Sequence, residues 1–248
     1  MLNYIRADLS LILRRVQRYA IVLLALIASM VYVVFIYKTT SWNSVNFVSC
    51  ATVCLTVQGI VLGLFEMSFV FTEDFQAKTM QVAIGRGLSR RKVVLTKFLE
   101  FGMLQILDMV VLLIVMSVFG AFTGIHLLAE QVLEIFSWCC CSWLTTMTVA
   151  SLTSIALFRF QKAGLLLILF LILSFDPVNA LLSWLQDNNA IAAQLNLTRF
   201  TYESVNSIFR SRLVLTNFDV LSFIGILIYI IGAYALTCFL FEKQEMEF

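Results

Sequence analysis

Long apolar runs alternate with short polar intervals along the whole chain. Six of these runs are long enough to cross a bilayer, since a transmembrane helix needs about 20 residues. They cover residues 20–37, 47–71, 98–122, 135–158, 163–185 and 218–241. Pro177 lies inside the fifth run and predicts a kink there. The pattern therefore predicts an all-α, polytopic membrane protein with six transmembrane helices in residues 20–248.

The first 19 residues show a different, amphipathic pattern. Apolar side chains recur at steps of three and four, as on one face of a helix: Leu2, Ile5, Leu9, Ile12, Val16 and Tyr19. We interpret residues 1–19 as an N-terminal interfacial helix, with Arg14, Arg15 and Arg18 as membrane-surface anchors. The alternative is an ordinary positively charged anchor before the first span.

The longest polar interval in the first two-thirds of the chain is residues 73–97, which hold six of the seventeen Lys and Arg residues. Thirteen of the seventeen fall on the same side of the six predicted spans. Basic connections stay in the cytoplasm, so we expect residues 73–97 and both termini there, with Arg91 and Lys92 at the bilayer surface. Residues 186–217 are then extracellular, and residues 201–213 could form a short helix within them.

The composition supports a membrane protein. Hydrophobic residues make up 61% of the chain and charged residues 13%, against about 45–50% and about 25% in soluble domains. The mean hydropathy is +0.95. All six cysteines lie inside predicted spans and the chain has one histidine, so we expect neither a disulfide framework nor a metal site. The basic residues cluster beside spans, and we therefore expect no nucleic-acid partner.

Two acidic residues, Glu66 and Asp108, lie in the predicted cytoplasmic halves of spans two and three. Ionisable groups inside a membrane usually face protein or a water-filled cavity. They are candidates for lining a substrate pathway; the alternative is that they hydrogen-bond to neighbouring helices or snorkel to the membrane surface. The chain has no phosphate-binding G-x-x-x-x-G-K-[ST] loop and no H-E-x-x-H or G-x-S-x-G motif. We therefore expect no catalytic residues.

The residue order in the basic interval resembles the first cytoplasmic connection of type-2 ABC transporter permeases. The resemblance rests on Phe71, Glu73, Lys78-Thr79, Leu88-Ser89-Arg90 and Lys97. It extends to the whole chain through the N-terminal helix, the six spans and the extracellular segment. It implies that residues 73–97 include a cytoplasmic coupling helix that contacts an ATPase, through Glu73, Asp74, Lys78, Thr79, Met80, Arg86, Leu88, Ser89 and Arg90.

The resemblance further implies the permease subunit of an exporter in a bacterial cell membrane. Such subunits pair with a second copy or a related permease and with two copies of an ABC ATPase, which would bind the ATP and Mg²⁺. Relatives move amphipathic or hydrophobic substrates such as peptides, drugs or lipids, and compact members resemble those used in antimicrobial-peptide export and immunity. The alternative function is a non-transporting scaffold or sensor that binds a cytoplasmic partner through residues 73–97.

Overall fold

The computed structural model describes residues 2–39, 43–72, 79–85, 87–160, 162–188, 197–214 and 217–243, and all regular secondary structure in them is helical. The helices are α1 (Leu2–Leu13), α2 (Val16–Thr39), α3 (Ser44–Met67), α4 (Thr79–Gly85), α5 (Arg90–Phe122), α6 (Ala129–Phe160), α7 (Ala163–Ser174), α8 (Pro177–Asn188), α9 (Tyr202–Val214) and α10 (Val220–Lys243). A π-helical turn, Ser68–Thr72, continues α3, and a 3₁₀ turn, Leu197–Phe200, precedes α9.

Five of the described helices are long and apolar enough to cross a membrane: α2, α3 with its π-helical turn, α5, α6 and α10. The pair α7–α8 adds a sixth candidate if it crosses as one element, because its two helices meet at an angle of 49°. This number and composition of helices confirm the prediction of a helical, membrane-embedded protein.

The bend between α7 and α8 lies at Asp176-Pro177, where the sequence predicts a kink. Pro177 is the first residue of α8, a position where proline loses no helical hydrogen bond. Asp176 precedes it with φ of +50°, in the left-handed region that aspartate tolerates better than most residues. The Asp176 Oδ1 accepts a hydrogen bond from the Asn179 N–H at 3.3 Å. Asp176 therefore caps the new helix.

The chain forms two compact units, residues 1–143 and residues 144–248, and the boundary lies within α6. In the first unit α2 and α3 are antiparallel neighbours. The Gln58 amide donates to the Ala25 carbonyl at 2.5 Å and to the Ser29 hydroxyl at 2.6 Å. A buried apolar cluster from α2, α3, α5 and α6 surrounds Phe47, Leu55 and Leu112. The core of this unit therefore lies between long helices.

Two helix boundaries differ from the sequence-based expectation. The helix predicted for residues 1–19 ends at Leu13, and a new helix begins at Val16, so Arg18 belongs to the first long apolar helix. The third long helix begins at Arg90, well before the predicted apolar start at residue 98. Helical hydrogen bonds continue through polar residues, whereas a hydropathy pattern detects only the apolar part of a helix.

In the second unit α9 packs against α10. Tyr202 and Phe209 are buried, and the Phe209 ring lies 5.6 Å from that of Phe223. At the other end of α10, the Phe241 ring lies 4.8 Å from that of Phe158 on α6. The helix expected in residues 201–213 is thus present as α9, and one face of it is covered by protein.

Candidate functional site

The short helix α4 lies between two membrane-length helices, inside the basic interval. It ends in a left-handed turn at Gly87, whose φ is +93°. The Gly87 N–H donates to the Ile84 carbonyl at 2.9 Å, and the Leu88 N–H donates to the Ala83 carbonyl at 3.2 Å. These two bonds form a Schellman motif, which needs a residue that accepts positive φ. Gly87 therefore fixes where α4 ends and how the chain enters α5.

One side of α4 is covered and another is open. Met80 and Ala83 are buried, and α4 contacts α5. Val82 is 53% exposed, and Ile84 is half-buried. The nearby start of α5 carries the exposed cations Arg91 and Lys92. The segment thus combines an exposed apolar side chain with positive charge, a combination suited to contact with another protein.

The residues implied by the resemblance are only partly described. Thr79 is the first residue of α4, and the next residue, Met80, is buried. Leu88 and Ser89 form the link to α5, and Arg90 is the first residue of that helix. The other four coupling candidates lie outside the described residues: Glu73, Asp74, Lys78 and Arg86.

A buried ionic cluster joins α1 to the N-terminal third of α5. The Lys97 Nζ lies 2.5 Å from the Asp8 Oδ2 and 2.9 Å from the Glu100 Oε2. The Lys97 and Glu100 side chains are both 0% exposed. The same ammonium lies 5.7 Å from the centre of the Tyr4 ring, within the range of a cation–π contact. Because buried charges are costly unless paired, this cluster fixes α1 against α5.

A second ionic cluster joins α2, α3 and α5. The Arg18 Nη2 lies 2.5 Å from the Asp108 Oδ1 and 3.4 Å from the Glu66 Oε1. All three residues are 2% exposed. Gln105, one turn before Asp108, is completely buried, and its amide lies beside the Glu66 carboxyl. One cation therefore serves two carboxyl groups.

This second cluster corrects one expectation and changes another. Arg18 is not a membrane-surface anchor: its side chain is buried among carboxyl groups, while Arg14, Arg91 and Lys92 are exposed and Arg15 is half-buried. Glu66 and Asp108, the candidate pathway residues, are brought together, but on the packed faces of α2, α3 and α5. Their contact with Arg18 is the hydrogen-bonding alternative that the sequence left open.

The pattern of apolar runs does not identify several residues of these clusters, namely Asp8, Lys97, Glu100 and Gln105. A signal for them does exist. Lys97 and Asp108 are eleven residues apart, which is close to three helical turns, so both project from one face of α5 about 16 Å apart. Asp8 follows Ile5 by three residues and therefore shares the covered face of α1.

The chemistry of the site is that of ionic contacts. Among the described residues, no group of three or more His, Cys, Asp or Glu side chains could hold a metal ion. Searches against known proteins add no relative: no family model matches the chain, and no curated protein matches it. The functional argument consequently rests on α4, the two ionic clusters and the resemblance in residue order.

Proposed function

We propose that this chain is the permease subunit of an ATP-driven ABC exporter and that α4 is the helix through which a separate ATPase acts on it. The observation that carries the proposal is the position and surface of α4. It is a short helix between two membrane-length helices, anchored through Met80 and Ala83, with Val82 exposed and cations beside it. A docked ATPase would cover that exposed surface.

The connection from α4 into the membrane supports the same proposal. Beyond the Schellman turn, α5 runs unbroken for 33 residues. It contacts α1, α2 and α3, and the two ionic clusters hold it to those helices. A displacement of α4 would therefore move α5 and its ion-paired neighbours together. In the proposed cycle, ATP drives two ATPase subunits to close, and their closure displaces α4 and α5 in each of two permease copies. The substrate is an amphipathic or hydrophobic molecule.

The proposal includes a six-span topology in a bacterial membrane, with both termini and α4 in the cytoplasm. The surplus of Lys and Arg around α4 favours that orientation. Single cysteines introduced near either terminus should react with a membrane-impermeant thiol reagent only in inverted vesicles. Reaction of either one in intact cells would contradict this topology.

The direct test is co-purification of the chain with an ATPase in mild detergent, using Val82→Asp as the disrupting variant. A carboxylate placed in an apolar contact should weaken recovery by about tenfold or more. Val132→Asp is the matched control, because Val132 is 52% exposed at the start of α6, on the predicted opposite side of the membrane. Equal recovery of the ATPase by native chain and Val82→Asp would contradict contact through α4.

A second candidate, the non-transporting scaffold or sensor, is favoured by one observation. Glu66 and Asp108 are held by Arg18 on packed helix faces, and this arrangement suits structural side chains better than a pathway lining. The two functions differ in one measurable property. A reconstituted exporter should hydrolyse ATP faster when its substrate is added, and Glu73→Ala with Arg90→Ala should abolish transport. A complex that binds an ATPase without transporting any amphipathic peptide, drug or lipid tested would favour the scaffold.

A further inference from the structure

The charges in the Arg18 cluster do not balance if both acids are ionised. One guanidinium faces two carboxylates, Glu66 and Asp108, and all three side chains are almost completely removed from solvent. An uncompensated carboxylate in such a place is far more costly than a neutral carboxyl group. When two carboxyl groups share a site, the usual outcome is that one of them keeps its proton.

The hydrogen-bond inventory of the cluster points to the same deficit. Three buried acceptor oxygens have no donor within the described part of the chain: Glu66 Oε2, Asp108 Oδ2 and Gln105 Oε1. Two buried donor nitrogens are also without a partner there, Gln105 Nε2 and Arg18 Nε, although the Gln105 amide lies beside the Glu66 carboxyl. Buried polar atoms are nearly always paired, and three unpaired acceptor atoms against two unpaired donor atoms leave a place for one more donor.

We propose that this cluster is a proton-binding site and that the proton resides on Glu66. The assignment follows from the two distances to Arg18. Its guanidinium is 2.5 Å from the Asp108 carboxylate but 3.4 Å from that of Glu66, so the cation pairs with Asp108 and leaves Glu66 as the group to be neutralised. A proton on the Glu66 Oε2 supplies the missing donor to the Asp108 carboxylate or to the Gln105 carbonyl.

The surrounding elements supply no second cation to Glu66 within the described residues. Along α5 the next charged side chains are Glu100 and Lys97, and the Lys97 ammonium is engaged by Glu100 and by Asp8 of α1. Residues 135–143 of α6, which belong to this unit, carry no charge. The Ser142 hydroxyl and the Trp143 indole there donate to carbonyls of α3 and α5. The proton is therefore the ion that balances the cluster.

Because of the position of Glu66, release of its proton should affect the packing of α2, α3 and α5. Glu66 is in the last turn of α3, directly before the π-helical turn that leads towards α4, and Arg18 is in the first turn of α2. Loss of the proton places two carboxylates side by side between α2, α3 and α5, and their repulsion favours separation of these helices. The packing of the three helices should therefore respond to proton release, whether or not an ATPase is attached.

Infrared spectroscopy of the purified full-length chain in lipid nanodiscs tests the proposal. The carbonyl stretch of a protonated carboxyl group is separate from the carboxylate bands and shifts in D₂O. At neutral pH the native protein should show such a band, and Glu66→Gln should remove it. Asp108→Asn should remove it too, because Arg18 then pairs with an ionised Glu66. Arg18→Gln should increase it about twofold, since neither acid keeps a cation.

Two further measurements make the result decisive. Glu130→Gln, which alters an exposed carboxyl group at the start of α6, should leave the band unchanged. In the native protein the band should disappear on alkaline titration, with the loss of one proton per chain. The titration should be the same in Na⁺ and in K⁺. This measurement does not depend on the folding of any variant. The proposal is overturned if the native protein lacks the band or if the band survives Glu66→Gln. It is also overturned if Na⁺ changes the carboxylate bands at constant pH while no protonated carboxyl group is detected.

Discussion

Replacement of Lys97 by methionine should destabilise the first unit strongly. Methionine keeps most of the buried aliphatic volume but removes the ammonium, which leaves the Glu100 carboxylate, 0% exposed, without this cation. Asp8 is less affected, because its side chain is 22% exposed and water can solvate it. Breaking one partner of a buried ion pair costs about 3–5 kcal/mol, which corresponds to a factor of about 100 or more in the ratio of folded to unfolded protein.

The chain carries its own probes for this measurement. Four of its free cysteines, Cys50, Cys54, Cys139 and Cys141, are buried in the first unit and should react with a fluorogenic thiol reagent only when that unit opens. Their labelling during denaturant titration in detergent reports the free energy of unfolding. Lys92→Met is the matched control, because Lys92 is exposed on the same helix, and it should change that free energy by less than about 0.5 kcal/mol.

The double variant Lys97→Met with Glu100→Leu separates loss of pairing from loss of packing. Removing both charges also removes the carboxylate that lost its contact with Lys97, so most of the stability should return, with a coupling energy of about 2 kcal/mol or more. Two results would refute the reasoning: a cost below about 1 kcal/mol for Lys97→Met, or a double variant as unstable as the single one. Either would mean that the buried contact contributes little.

Three other predictions test local features. Gly87→Ala should cost about 1–2 kcal/mol, because alanine is strained at a φ of +93°, and faster hydrogen exchange confined to α4 would report it. Gly120→Ala places a methyl group 3.0 Å from the Phe47 ring and should lower stability by about 1–3 kcal/mol, whereas Gly232→Ala, which meets open space, should not. The Ser222 hydroxyl donates to the Asp219 carboxylate at 2.8 Å and lowers the pKa of that carboxyl. The stabilisation of α10 by the Asp219 carboxylate should therefore be complete above the usual aspartate pKa and be lost as the pH falls through the lowered pKa. Asp219→Ala should abolish this acid-dependent part of the thermal unfolding profile.

Much of the site could have been predicted from periodicity, although apolar runs alone do not reveal it. The polar residues Lys97, Glu100, Gln105 and Asp108 fall within one face of α5, which from Val93 onward is otherwise almost entirely apolar. A polar face in such a helix must meet protein or water. The partner of each residue could not be predicted this way. Asp8 is 89 positions from Lys97, and Arg18 is 90 positions from Asp108.

The sequence by itself determined that this is a helical membrane protein and where its apolar helices lie, because bilayer insertion depends on local hydropathy and length. Local pattern also allowed the short helix in residues 201–213 that is present as α9, and the resemblance in residue order implied a helix within residues 73–97, where α4 lies. Only the tertiary structure decided that Arg18 turns inward instead of towards the membrane surface. Burial of a charge depends on whether helices distant in sequence bring an opposite charge to it, and that pairing is a property of packing, not of any single segment.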